Sequence, residues 1–267
     1  MNLSFFFMAF MTASNALNTP RTGFPVILFT PGAWHGPWAF DEIRKDLSSR
    51  GLSTLAVTLP SVGTKNVNVG VAEDTAAVRA EIQKLVSKGR KVIVVAHSYG
   101  GVPSSNAVQG LNIKDRSASG QKGGVVMVVY MTAFAIPTGT SLKEAAGGIY
   151  PSWWNVTTDG FLSPLTPLEV FYADVPAAIA AKAVTRLCPE PLKIATDKSC
   201  FEPWNEGVPV SYIFAEDDQA IPLAVQQGMA AQFPAGSFTA SLSSSHSPFL
   251  SMPKALGDVL EKIVCAL

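Results

Sequence analysis

Ser98 stands in the run Ala96-His97-Ser98-Tyr99-Gly100, and it can do chemistry only if the chain also supplies a base and an acid. A serine hydroxyl is a poor nucleophile until a histidine accepts its proton, and that histidine needs a carboxylate to orient it. The chain has three histidines. His35 and His97 precede Ser98, whereas a serine on a strand-to-helix turn is followed by its acid and then its histidine. That leaves His246, in a Ser/Pro-rich loop, as the base. The acid is expected after the apolar run 208–214, where Glu216, Asp217 and Asp218 all stand. Spacing does not choose among them, because an acid there also suits the helix dipole near Pro222. Acyl transfer further needs backbone N–H groups aimed at the developing oxyanion. Tyr99, directly after the serine, offers one. Ala33, in Pro31-Gly32-Ala33, offers the other, since Pro31 has no N–H.

The elements around these residues have to hold them together. Residues 92–95 (V-I-V-V) form a β-branched run typical of a strand buried on both faces. A helix-compatible stretch, 102–111, follows the serine, which gives the strand–turn–helix context of a nucleophile elbow. The tight turn requires small residues two before and two after the serine, and Ala96 and Gly100 occupy those positions. A serine after a strand is also a common helix N-cap, so the partners elsewhere in the chain decide its role. Strands are expected at 26–30, 52–58, 125–131, 208–214 and 237–242. Helices are expected at 38–49, 71–87, 222–232 and 254–266, with residues 112–123 as a polar surface loop. Residues 134–204 break this rhythm with prolines, aromatics and short helical pieces such as 177–187, and show no clear strand. The pattern predicts an α/β fold with a mostly parallel central sheet, flanking helices and an inserted small helical cap.

Composition narrows the classes. Lysine plus arginine (20) equals aspartate plus glutamate (20), and hydrophobic residues make up 48% of the 267. A basic stripe or tail is absent, which argues against a nucleic-acid partner. No dinucleotide fingerprint, phosphate loop or metal-ligand spacing competes, so no cofactor and no metal are expected. Residues 3–13 are apolar but too short to span a bilayer, which needs about 20 such residues. With Ser14-x-Ala16 after them they resemble a signal peptide lacking a basic start; the alternative is an apolar segment packed on the domain. The expected division is therefore 1–19 as leader or apolar segment and 20–267 as one catalytic domain. Cys188 and Cys200 lie close enough in sequence for a disulfide, and Asn155-Val156-Thr157 is a glycosylation sequon. Together these point to a secreted protein, a cytoplasmic one being the alternative. Cys265, in the last apolar helix, is expected to be a small buried hydrophobe.

Four motifs together resemble the α/β-hydrolase superfamily, in the branch of plant methylesterases, hydroxynitrile lyases and related fungal and bacterial esterases. They are the loop at residues 31–38 (P-G-A-W-H-G-P-W), A-H-S-Y-G-G at 96–101, D-D-Q-A-I-P at 217–222, and the His246 loop. The likeness runs from Val26 almost to the C-terminus. It implies that the acid stands four residues before Pro222, which selects Asp218. The branch usually has histidine at Pro31 and glycine at Ala96. Related hydroxynitrile lyases carry threonine at the position of Gly32 and lysine directly after the histidine, where this chain has Ser247. The resemblance implies a cofactor-independent serine hydrolase for a small apolar ester or lactone. A carbon–carbon hydrolase or lyase, and a receptor that retains the triad, are the alternatives. Gly32, Trp34, Trp153 and Trp154 are expected to wall the pocket for the small-molecule substrate.

Overall fold

The computed structural model describes residues 23–267. The leader reading of residues 1–19 lies outside the described residues. In chain order the elements are β1 (Val26–Thr30), α1 (Asp41–Ser49), β2 (Thr54–Ala56), α2 (Val71–Val86), β3 (Lys91–Ser98), α3 (Gly101–Ala107), α4 (Ile113–Ala118) and β4 (Gly124–Ala133). Then follow α5 (Leu142–Ala145), β5 (Trp154–Val156), β6 (Phe161–Pro164), α6 (Pro167–Phe171), α7 (Ala177–Val184), β7 (Glu190–Pro191) and α8 (Lys193–Thr196). The last are β8 (Val210–Ala215), α9 (Leu223–Ala230), β9 (Thr239–Leu242), α10 (Pro248–Ser251) and α11 (Pro253–Cys265).

Six strands form the central sheet in the order β2-β1-β3-β4-β8-β9, and every neighbouring pair is parallel. The uninterrupted Val/Ile runs account for this, because a parallel strand covered by helices on both faces needs no polar side. Ile27, Leu28, Val94, Val95, Val128 and Val129 are all fully buried, and each contributes about 1.5–3 kcal/mol of hydrophobic burial. The chain order reverses beside β1 and β3, so the carboxyl ends of these central strands open on a crevice where ligands gather in open α/β sheets.

The structure departs from the sequence expectations in four places. The stretch 134–204, expected to lack strands, contains a second, antiparallel sheet in the order β5-β6-β7. Its strands are two to four residues long, too short for an alternating pattern to emerge. The expected loop 112–123 contains α4, started by Asn112, whose side chain accepts from the Asp115 N–H. The expected disulfide does not form: Cys188 and Cys200 are both free thiols. Different anchors hold them, since the Cys188 N–H donates to the Trp34 carbonyl and the Cys200 N–H to the Asn106 side chain on α3. Cys265 is exposed rather than buried. Among the described residues no helix is long and apolar enough to cross a membrane, and no group of three or more His, Cys, Asp or Glu is placed to hold a metal ion.

Candidate active site

Three non-glycine residues among those described have positive φ: Trp34 at 66°, Ser98 at 51° and Thr132 at 37°. All three stand at or just beyond the carboxyl ends of adjacent strands, β1, β3 and β4. Each such conformation costs about 1–3 kcal/mol and persists only where its surroundings impose it, which is characteristic of functional sites. At Ser98 the surroundings are crowded. A Cβ on Gly32 would lie 2.7 Å from the Ser98 Cβ and 2.9 Å from His97 Nδ1. A Cβ on Gly100 would run into the carbonyls of Thr30, Pro31 and His97. Ala96, where glycine was the anticipated residue, is fully buried and fits with its methyl group.

Of the three acids after β8, Glu216 and Asp217 are exposed, and Glu216 accepts from Ser243 Oγ. Asp218 is buried, and its Oδ2 lies 2.7 Å from His246 Nδ1. Oδ1 of the same carboxylate accepts from the Ala220 and Ile221 N–H groups at 2.7 and 3.0 Å. Thr132 Oγ1 donates to Oδ2 as well. Together these donors fix the orientation of the carboxylate. With Nδ1–H directed at Asp218, Nε2 is left as the basic nitrogen of the His246 ring. Gln226 is fully buried. It fixes the acid loop by bonding both Ala215 main-chain groups and the Ile221 carbonyl.

His97 has a part that the sequence reading did not give it. Its Nε2 lies 2.9 Å from the His246 carbonyl oxygen, so the residue before the serine anchors the loop carrying the base. The two rings are 4.5 Å apart. Burial, and then the nearness of His246 and His35, push the His97 imidazole well below its ordinary value, so it holds this contact as a neutral ring. The sequence carried no signal for this role, which exists only through a contact 149 positions away. His35 is likewise buried and neutral, its pKa lowered to about 4 chiefly by burial. Its ring bridges the Ala33 carbonyl and Tyr172 Oη, both at 2.7 Å.

Among the described residues neither the Ala33 nor the Tyr99 N–H is paired with a protein acceptor. The remaining pocket residues fall into two groups. Trp34 is almost fully buried, stacks on Phe171 and meets Trp153 and Trp154 edge-on, so its ring belongs to the aromatic core of the insert. Trp153 faces a cavity of about 500 Å³, also lined by Phe134, Ala146, Pro151, Ile221 and Val225. That cavity adjoins the acid loop at Ile221 and the segment after β4 at Phe134, whose N–H donates to the Ser98 carbonyl.

Comparison with known proteins gives a consistent result. A hydrolase of the fungus Aspergillus novofumigatus, "Alpha/beta hydrolase nvfD", is 31% identical over 233 residues, 86% of this chain and 92% of the relative. Methylesterase 7 of Arabidopsis thaliana is 26% identical over 252 residues, 87% of this chain and 93% of its own length. The crystal structure of another Arabidopsis methylesterase superposes with a TM-score of 0.73 at 22% identity, covering 91% of this chain and 100% of that one; at that identity the likeness establishes the fold. The profile of the alpha/beta hydrolase family matches residues 27–259, and the chain belongs to that family.

Proposed function

We propose that this hydrolase cleaves a small, largely apolar carboxylic ester or lactone through an acyl-enzyme on Ser98. The observation that carries the reading is the buried Asp218–His246 pair at 2.7 Å, held at the same strand ends as a serine with φ 51°. In this reading His246 Nε2 takes the Ser98 proton as Oγ attacks the carbonyl carbon. Asp218 stabilises the imidazolium, and the Ala33 and Tyr99 N–H groups receive the oxyanion. His246 returns the proton to the leaving alcohol, then deprotonates the water that releases the acid. None of these steps calls on a cofactor. The cavity beside Trp153 and Phe134 suits an apolar acyl or alcohol portion, and the segment 134–204 acts as the cap over it. The esterase names of the relatives support the reaction class.

A cyanohydrin lyase is disfavoured by two positions. Gly32 leaves no room for a larger residue against Ser98. Ser247, directly after the base, is fully buried, so it supplies no cation for departing cyanide and the site would not readily house one. The test is a series of p-nitrophenyl esters of rising chain length, a lactone panel and mandelonitrile, each with wild type and Ser98→Ala. Ester or lactone turnover that vanishes in Ser98→Ala, together with loss of fluorophosphonate labelling, is expected. Rapid cyanide release without ester turnover, or labelling that survives in Ser98→Ala, overturns the reading.

A further inference from the structure

Beneath the oxyanion loop lies a chain of polar contacts that the proposed reaction does not use directly. It begins at Trp34, whose N–H donates to Glu190 Oε2 at 2.5 Å. Glu190 Oε1 is 2.6 Å from Ser61 Oγ, and Ser61 Oγ is 2.6 Å from Asp74 Oδ2. Asp74 Oδ2 accepts from Tyr99 Oη at 2.7 Å, while Oδ1 accepts from the Ser61 N–H at 3.0 Å. Glu190, Asp74 and Ser61 are fully buried and Tyr99 nearly so. The two ends of this chain matter most. Trp34 directly follows Ala33, and Tyr99 carries the other proposed oxyanion donor on its own backbone.

Proton counting shows that the two acids share one proton, and the donors place it: Asp74 already accepts from Tyr99 Oη and the Ser61 N–H, Glu190 only from the Trp34 N–H. Ser61 Oγ has one hydrogen but meets two carboxyl oxygens, each at 2.6 Å. Were both acids ionised, one of those contacts would join two oxygens with no hydrogen between them, beside two buried like charges. A single added proton removes the conflict. With Glu190 neutral, its O–H donates to Ser61 Oγ and its other oxygen accepts from Trp34. Ser61 then donates to ionised Asp74, as does Tyr99. Among the described residues no cation is paired with either acid: Lys193 pairs with Asp197, and Glu73 bonds the Gly70 N–H.

We propose that Glu190 is a positioning residue which, as a neutral acid, ties the insert to both strands of the oxyanion hole and sets the aim of the Ala33 and Tyr99 N–H groups. By holding the Trp34 N–H, it turns that donor away from the substrate and sustains the 66° φ of Trp34, which orients the preceding peptide. Through Ser61 and Asp74 it fixes the Tyr99 side chain, and so the turn that follows the nucleophile. The insert therefore contributes to catalysis from β7 without touching substrate. Burial, ahead of the Asp74 charge, raises the Glu190 carboxyl to about 8. Loss of its proton above that point leaves two carboxylates facing one hydroxyl and loosens the loop.

This inference rests on the acyl-enzyme reading, and its test separates the two. The turnover number and KM for a p-nitrophenyl ester are measured from about pH 6 to about pH 9 for wild type, Glu190→Gln and Glu190→Ala. In wild type kcat is expected to fall as pH passes about 8 while KM holds. Glu190→Gln, whose amide donates and accepts in the same places but cannot ionise, is expected to stay within a few-fold of wild type near neutrality and lose that alkaline decline. Glu190→Ala is expected to lose about tenfold or more in kcat at every pH. An identical alkaline decline in Glu190→Gln, or a Glu190→Ala protein with lowered melting temperature but undiminished kcat, overturns the proposal. If wild type neither labels with fluorophosphonate nor turns over esters, the acyl-enzyme reading fails, and the shared proton is still read from unfolding. The wild-type melting temperature should then fall more steeply than that of Glu190→Gln between about pH 6 and about pH 8; equal slopes refute the neutral acid.

Discussion

Three donors converge on one oxygen of Asp218: His246 Nδ1, Thr132 Oγ1 and, more distantly, Gln226 Nε2 at 3.5 Å. Only the histidine carries a proton in the proposed reaction, so the hydroxyl of Thr132 acts by holding the carboxylate in place. Thr132→Val keeps the branched shape, removes that donor, and should lower kcat by roughly tenfold with KM nearly steady, about 1.4 kcal/mol in the transition state. Asp218→Asn should cost far more, on the order of 10⁴, because an amide fixes the wrong imidazole tautomer. Asp217→Asn, on an exposed side chain, should change kcat less than twofold. A larger loss at Asp217 than at Asp218 would mean that the acid has been misassigned. Ser98 and His246 could be singled out in the sequence because chain order and the scarcity of histidines left no rival. Asp218 needed the family likeness, since Glu216, Asp217 and Asp218 are all acids and are set apart by burial, which the sequence does not display. Thr132 and Glu190 gave no signal at all: each is one polar residue in an apolar or proline-rich stretch, and its role exists only through contacts 86 and 156 positions away.

At the scale of elements, the loop after β1 and the turn after β3 are pressed together so closely that no side chain fits at Gly32. Gly32→Ala would place a methyl carbon 2.7 Å from the Ser98 Cβ, a separation that real Cβ atoms do not tolerate, so one of the two segments must shift. A displacement of about 1 Å at a catalytic nucleophile costs on the order of 100-fold. The expected result is a kcat loss of that size and correspondingly slow fluorophosphonate labelling, with circular dichroism still reporting the native fold. Labelling at the wild-type rate would show that the loop yields without moving Ser98. The same closeness explains which elements could be read in advance. Strands β1, β3 and β4 announce themselves as β-branched runs because both faces are buried. Strands β5, β6 and β7 do not, because two to four residues paired across proline and glycine carry no periodicity. The cysteine pair misled for a related reason. Twelve positions of separation say nothing about direction, and Cys188 hangs from the β1 loop while Cys200 hangs from α3.

Over the whole molecule, buried titratable groups divide into two sets with opposite pH dependence. His35 has an ordinary value of 6.5 and a folded value of about 4. Between these the unfolded chain binds the proton and the folded chain does not, so stability falls as pH drops. Burial depresses His97 in the same sense. Glu190, ordinarily at 4.5, is raised to about 8. Between those values the folded chain holds the proton, so stability falls as pH rises. Asp74, raised by burial, acts with it. From about pH 4.5 to about pH 6.5 the two sets oppose each other, and the urea midpoint of the wild type should stay nearly level. Above about pH 6.5 the histidine slope ends while that of Glu190 persists, and the midpoint should decline up to about pH 8. His35→Gln removes one member of the first set, a swing of about 3.5 kcal/mol at about 1.4 kcal/mol per unit of displacement. In that variant the decline with rising pH should begin near pH 5 instead of near 6.5. Urea titrations at half-unit intervals across this range test the argument, and a variant as level as the wild type below pH 6.5 would show that His35 does not unfold into a proton acceptor as its burial demands.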